Sequence, residues 1–352
     1  MTSKQHRPYQ YRFIREKDIP DLPDPIHLWV LDGAVPVRGL SALTLISSFD
    51  PWASKICSCP RKYSLSPYTG CSHSCLYCYI TSYIPDPFNA RPKKNLIRRL
   101  ARELSRIDRS IPVMMASSSD PYTPPEERLQ LTRSTIKLLL AHSARFLVVT
   151  KSDLITRDVD LLRRASAAAS ITVTTLDCDL ASKLEPSAPE PARRLRAIRQ
   201  LSDAGIPCSA RIDPIIPGLN SEREQLQLLT RELSEAGVRQ ITASTYKARP
   251  DSYRRLVRAF PSNERLLRRL YWESGEGLAG SRYLNSSLRL QLIMTVKEAA
   301  EAYRVRFASC REGFTSYSTS ASCDSSHLIP APLGASGTVS GETPSQSTMI
   351  RL

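Results

Sequence analysis

Residues 146–176 read FLVVTKSDLITRDVDLLRRASAAASITVTTL, and the fold follows from this stretch. A short apolar, β-branched run at 146–150 is strand-like, and the polar turn Lys151-Ser152-Asp153 ends it. Apolar residues then recur at helical spacing over 158–169, and a second β-branched run follows at 171–176. Strand, helix and strand within about thirty residues make one right-handed crossover unit of a parallel sheet.

The alternation extends in both directions. Further strands are expected at 63–68, 113–117, 207–212 and 240–245, six in all. Between the first two, Leu96, Ile97, Leu100, Leu104 and Ile107 form an apolar stripe, while Arg98, Arg99, Arg102 and Arg106 make the other face basic. Helices are also expected at 132–142, 191–204 and 221–236, the last two ending at Ala-Gly pairs suited to a C-cap. The fold class is therefore α/β, a partial (β/α)6 barrel of the TIM type with an N-terminal extension and a C-terminal helical cap. The expected divisions are a Pro-rich extension at 1–60, the barrel core at 61–250, the cap at 251–330 and a disordered Ser/Thr/Gly/Pro tail at 331–352. In such barrels chemistry gathers at the C-terminal ends of the strands, so 70–79, 118–122, 151–153, 174–177 and 211–218 should face one another.

The 352 residues carry 49 Lys plus Arg against 34 Asp plus Glu, a net charge of +15 that favours polyanionic partners, nucleic acid among them. No run approaches the roughly 18 to 20 apolar residues of a membrane span. The basic, polar start has no apolar signal region, so a cytoplasmic protein with no membrane partner is expected. Nine cysteines, three of them within eight residues, suit metal or redox chemistry better than a disulfide framework.

Those three lie in YTGCSHSCLYCY, residues 68–79, directly after the first expected strand. A cubane iron-sulfur cluster held by three thiolates, Cys71, Cys75 and Cys78, leaves one iron open to a small molecule, and Gly70 lets the chain turn tightly before the first ligand. The competing assignment is a zinc site with His73 or another cysteine as fourth ligand. Zinc modules, however, normally pair two CxxC halves, and here a lone triplet sits at the catalytic end of a large barrel.

A CxxxCxxC with an aromatic residue before its last cysteine, in this position, resembles the radical S-adenosylmethionine (SAM) superfamily. Within it, the run from Lys62 to about Pro330 is similar to the spore photoproduct lyase and "DNA repair photolyase" group. Gly70-Cys71 through Tyr79, Ser119-Asp120-Pro121-Tyr122, Thr150-Lys151-Ser152 and the segment from Pro214 to Gly218 carry the resemblance. It implies a 4Fe-4S cluster and S-adenosylmethionine as cofactors, with the cofactor's amino and carboxylate groups on the open iron. Its reductive cleavage would give a 5′-deoxyadenosyl radical that takes hydrogen from a substrate. An electron donor such as a ferredoxin or flavodoxin is implied as partner.

The resemblance also implies roles. Tyr77 would pack on the adenine, Ser119 and Asp120 would receive the amino group, and Lys151 would lie near the cofactor's polar groups. Thr174 and Thr175 would bond the ribose or carboxylate, and Arg211 would fork onto the carboxylate. One position departs from the group's pattern: the lyases' hydrogen-donating cysteine is Ser118 here. Tyr122 is then the candidate catalytic donor, with Cys310 or Cys323 as substitutes. Cys57 and Cys59, and separately Cys310, Cys323 and His327, are candidates for an auxiliary metal site. Cys178 and Cys208 read as small core residues. Two further functions compete with radical chemistry on nucleic acid. One is the same chemistry on a peptide or small molecule, and the other is a non-catalytic, zinc-stabilised nucleic-acid-binding protein.

Overall fold

The computed structural model describes residues 11–14, 28–31, 45–49, 56–115 and 118–331. The 331–352 tail lies outside them except for its first residue, as does most of the 1–60 extension, whose described parts are residues 45–49, residues 56–60 and an antiparallel pair, Tyr11–Ile14 with Leu28–Leu31, that stands outside the main sheet.

The main sheet has eight strands in sequence order: β1 (Ile46–Ser48), β2 (Tyr63–Leu65), β3 (Val113–Met115), β4 (Phe146–Thr150), β5 (Ala167–Thr172), β6 (Cys208–Ile215), β7 (Gln240–Thr245) and β8 (Arg306–Ser309). From β2 to β8 every neighbouring pair is parallel, and β1 adds an antiparallel edge to β2. Strand order equal to chain order, with a helix or loop between parallel neighbours, is the winding of a barrel. Because β1 and β8 do not pair with each other, the barrel is partial, and the outer side of β8 is bonded to a following segment, Thr319 N donating to Phe307 O at 2.9 Å.

Two expectations change. The helix placed over 158–169 is only the single turn Val159–Leu162, and the strand begins at Ala167, not at 171. Ala167, Ala168 and Ala169 are fully buried and pair with β4, and Ala169 also pairs with Cys208 of β6. Ala167 and Ala169 join the main core, while Ala168 packs with Met114, Leu147 and Ile329 on the opposite face. A strand buried on both faces shows no alternation, and tertiary pairing overrides the helix propensity of alanine. The second change is an additional parallel strand, β8, inside the stretch expected to be a helical cap. The helix Ser286–Ala302 leads into it and packs against β7, β8 and the helix Arg223–Glu235. Among the described residues no helix is long and apolar enough to cross a membrane.

Candidate functional site

The loop after β2 is held from several directions. Tyr68–Thr69 pairs with Arg91–Pro92, and Gly70 turns the chain with φ +78°. A Cβ on Gly70 would stand 2.4 Å from the Asn89 carbonyl oxygen, so only glycine fits. Cys71 N donates to Pro87 O at 2.8 Å, Ser72 N to Thr123 Oγ1 at 2.9 Å, and Leu76 N to Leu184 O at 2.9 Å. From the helix Pro250–Ala259, the Arg255 guanidinium donates to the carbonyls of Leu76 and Cys78, both at 3.1 Å. Backbone groups that the irregular loop cannot pair internally are thus satisfied from outside.

Cys71, Cys75 and Cys78 are free thiols lining one cavity of about 590 Å3. Tyr77, Ser119, Asp120, Lys151 and Arg211 line it too, so the ends of β2, β3, β4 and β6 meet there. Tyr77 donates its hydroxyl to the Glu185 carboxylate, and Lys151 Nζ lies 5.5 Å from the Tyr77 ring centroid. Asp120 accepts from Tyr122 N at 2.9 Å, Thr150 Oγ1 at 2.6 Å and Lys151 N at 2.7 Å, locking the end of β3 to the end of β4. Its other neighbour is His73, with Nδ1 3.4 Å from Oδ2. Burial opposes charge on both groups. Their mutual attraction nonetheless raises the imidazole to about 10 and holds the carboxyl below its usual range. Arg211 pairs with Asp213 at 2.8 Å. Ser119 is buried, and its Oγ has no hydrogen-bond partner among the described residues.

Three expected residues lie elsewhere. Tyr122 is buried, does not line the cavity, and donates to Asp158 Oδ2 at 2.9 Å. Thr174 donates to Glu185 Oε1 at 3.2 Å, and Thr175 Oγ1 accepts from Asp177 N at 3.1 Å. The sequence reading missed Glu185, which is buried and paired with Arg194 at 2.5 Å. It also missed Lys247, paired with buried Glu312 at 2.8 Å. A signal for the first was present: Arg194 sits at helical spacing with Pro191, Ala197, Ile198 and Leu201, a charge on an apolar stripe.

Residues 65–230 match the Radical SAM superfamily model. This stretch is thus similar to a superfamily whose members use a 4Fe-4S cluster and S-adenosylmethionine. More narrowly, its fold is that of spore photoproduct lyase. A variant of that enzyme with bound AdoMet and dinucleoside spore photoproduct superposes with a TM-score of 0.57 at 17% identity, covering 75% of this chain and 78% of the other. The lyase complexed with dinucleoside spore photoproduct gives 0.57 at 19%, covering 77% and 80%. An uncharacterized protein of Mycobacterium tuberculosis is 29% identical over 197 residues, which is 52% of this chain and 58% of the relative. Another, of Methanocaldococcus jannaschii, is 31% identical over 166 residues, 45% and 62%. The chain thus spans about 60% of the length of these curated relatives. Three thiols on one tightly held loop, beside an unpartnered buried hydroxyl at a cavity of this size, fit a three-thiolate cluster with a small polar cofactor next to it.

Proposed function

We propose that this protein is a radical SAM enzyme whose substrate is a nucleic acid. The observation that carries the reading is the opening of Cys71, Cys75 and Cys78 onto the same cavity as Tyr77, Ser119, Lys151 and Arg211. The three thiolates would hold the 4Fe-4S cluster, and S-adenosylmethionine would occupy the cavity beside it. When bound, the pair supplies one-electron cleavage of a sulfonium bond and a carbon-centred radical, and a ferredoxin- or flavodoxin-like donor would deliver the electron.

The chain's own residues orient and shield. Ser119 offers its open hydroxyl to the amino group of the cofactor, and Asp120, whose oxygens already hold β3 to β4, sets the position of that hydroxyl. Lys151 and Arg211 present positive charge to a carboxylate, and Tyr77 presents a ring fixed through Glu185. Thr174 acts one step back by holding Glu185, and Thr175 and Tyr122 support the loops behind the cavity. The cavity lining has six Lys or Arg against three Asp, which together with the net charge of +15 favours a phosphate-bearing substrate.

The test is anaerobic reconstitution with iron and sulfide, then reduction with S-adenosylmethionine present, quantifying 5′-deoxyadenosine with and without ultraviolet-irradiated DNA. Wild type is expected to form it and Cys75→Ala is not, with DNA increasing the yield. Turnover in Cys75→Ala would remove the ligand assignment. A yield indifferent to DNA and RNA but raised by a peptide would move the substrate class.

A further inference from the structure

Four cysteines outside the cluster loop come from the two ends of the sheet. Cys57 and Cys59 precede β2 at one edge. Cys310 directly follows β8 at the other, and Cys323 lies on the segment that returns past β7. That segment is pinned by Gln240 Nε2 donating to Ser322 O at 3.0 Å and Thr242 Oγ1 to Cys323 O at 2.9 Å. Although 264 positions apart, Cys59 Sγ and Cys323 Sγ are 3.6 Å from each other. Cys57 and Cys310 line the same cavity as Cys59. Sequence spacing alone left two unrelated cysteine pairs, and the topology joins them.

A disulfide would use only two of these thiols, at a bond length of about 2.05 Å. In a tetrahedral tetrathiolate site, metal–sulfur bonds of about 2.3 Å place the sulfurs about 3.8 Å apart, close to the Cys59–Cys323 separation. Cubane ligands, each on a different iron, stand farther apart. No three of them surround one point, so an ion would gather by side-chain rotation the touching pair Cys59 and Cys323 with Cys57 and Cys310, which line the same cavity as Cys59. Four thiolates on a divalent ion leave a net charge of about −2. Two cations lie close by, each already paired with a carboxylate: buried Lys62 with Asp324, near Cys59, and Arg211 with Asp213, near Cys310. His327 is occupied elsewhere, Nδ1 lying 2.8 Å from Ser322 Oγ and Nε2 3.4 Å from Ser320 Oγ.

We propose that Cys57, Cys59, Cys310 and Cys323 form a second metal site for one tetrahedrally bound, thiophilic divalent ion of the zinc type, which ties the first and last strands of the open barrel together. As the metal enters, the four thiol protons leave to solvent and four metal–sulfur bonds form, with no change of oxidation state.

The test uses the full chain carrying Cys71→Ala, Cys75→Ala and Cys78→Ala, so that it is independent of the radical cofactor. It should purify with about one zinc, or one iron without acid-labile sulfide, per chain. Adding Cys59→Ser and Cys323→Ser should lower the metal content at least tenfold. Should that variant not fold, cobalt(II) added to the metal-stripped three-alanine chain provides the second measurement, with near-ultraviolet thiolate-to-cobalt absorption and tetrahedral visible bands expected. A chain without metal and without those bands, a centre containing iron and sulfide, or metal retained after the serine substitutions would each overturn the site.

Discussion

Gly70 sets the direction in which the first cysteine leaves the barrel. Its positive φ and the Asn89 carbonyl 2.4 Å from an added Cβ mean that Gly70→Ala imposes both backbone strain and a clash with main chain that cannot swing away. Strain of this kind costs roughly 1–3 kcal/mol, small against the fold but concentrated on the loop that carries Cys71. The variant is expected to keep its far-ultraviolet circular dichroism while taking up several-fold less iron on reconstitution. Iron content equal to wild type would show that the loop tolerates the shift. Gly70 and the three cysteines were legible because their chemistry lies within nine consecutive residues. Glu185 was legible only through Arg194, a charge on an apolar stripe that needs a partner, because Tyr77, Thr174 and Arg194 come to it only in the folded chain.

The helix Pro250–Ala259 acts as a clamp on the cluster loop, and its grip depends on ionisation. Asp251 accepts from Thr81 and from Ser82 at 3.0 Å in the turn just after Cys78, and it also pairs with Arg255 at 3.2 Å. Burial pushes this carboxyl up, but the bonds from Thr81, Ser82 and Arg255 together outweigh it and hold it below the usual range. A depressed folded value means that the contribution is present above the unfolded carboxyl's pKa of about 3.9 and lost as pH falls through the folded value. Between about pH 5 and pH 2.5, wild type should therefore lose more unfolding free energy than Asp251→Asn, as measured by urea titration. Equal losses would mean that the carboxylate does not anchor the turn. The sequence showed this helix only as the start of an expected helical cap, because a clamp made of one guanidinium on two carbonyls has no pattern of its own. The Ala167–Thr172 strand was obscured for the opposite reason, its local propensity pointing to the wrong element.

At the scale of the molecule, strand-helix alternation was enough to predict a parallel, partly closed barrel, and net charge pointed toward a polyanion. Hidden from it was how far the barrel continues. β8 is short, begins with exposed Arg306 and has a neighbouring strand on one side only, so its four residues resemble a loop in sequence. Its placement implies that the chain beyond residue 250 is part of the core. Leu267, Ile293, Val296 and Phe307 are fully buried members of the main hydrophobic cluster. Burial of such side chains contributes roughly 1.5–3 kcal/mol each, so losing four of them approaches the whole stability margin of roughly 5–15 kcal/mol. A chain ending at residue 250 would also expose the backbone edge of β7 that now pairs with Arg306–Ser309. It is expected to be insoluble or to show no cooperative melting transition, even though it contains all of residues 65–230, Cys71, Cys75 and Cys78 included. A soluble product with a sharp transition would make residues 251–331 a separable cap, and would then require β7 to be a tolerated edge.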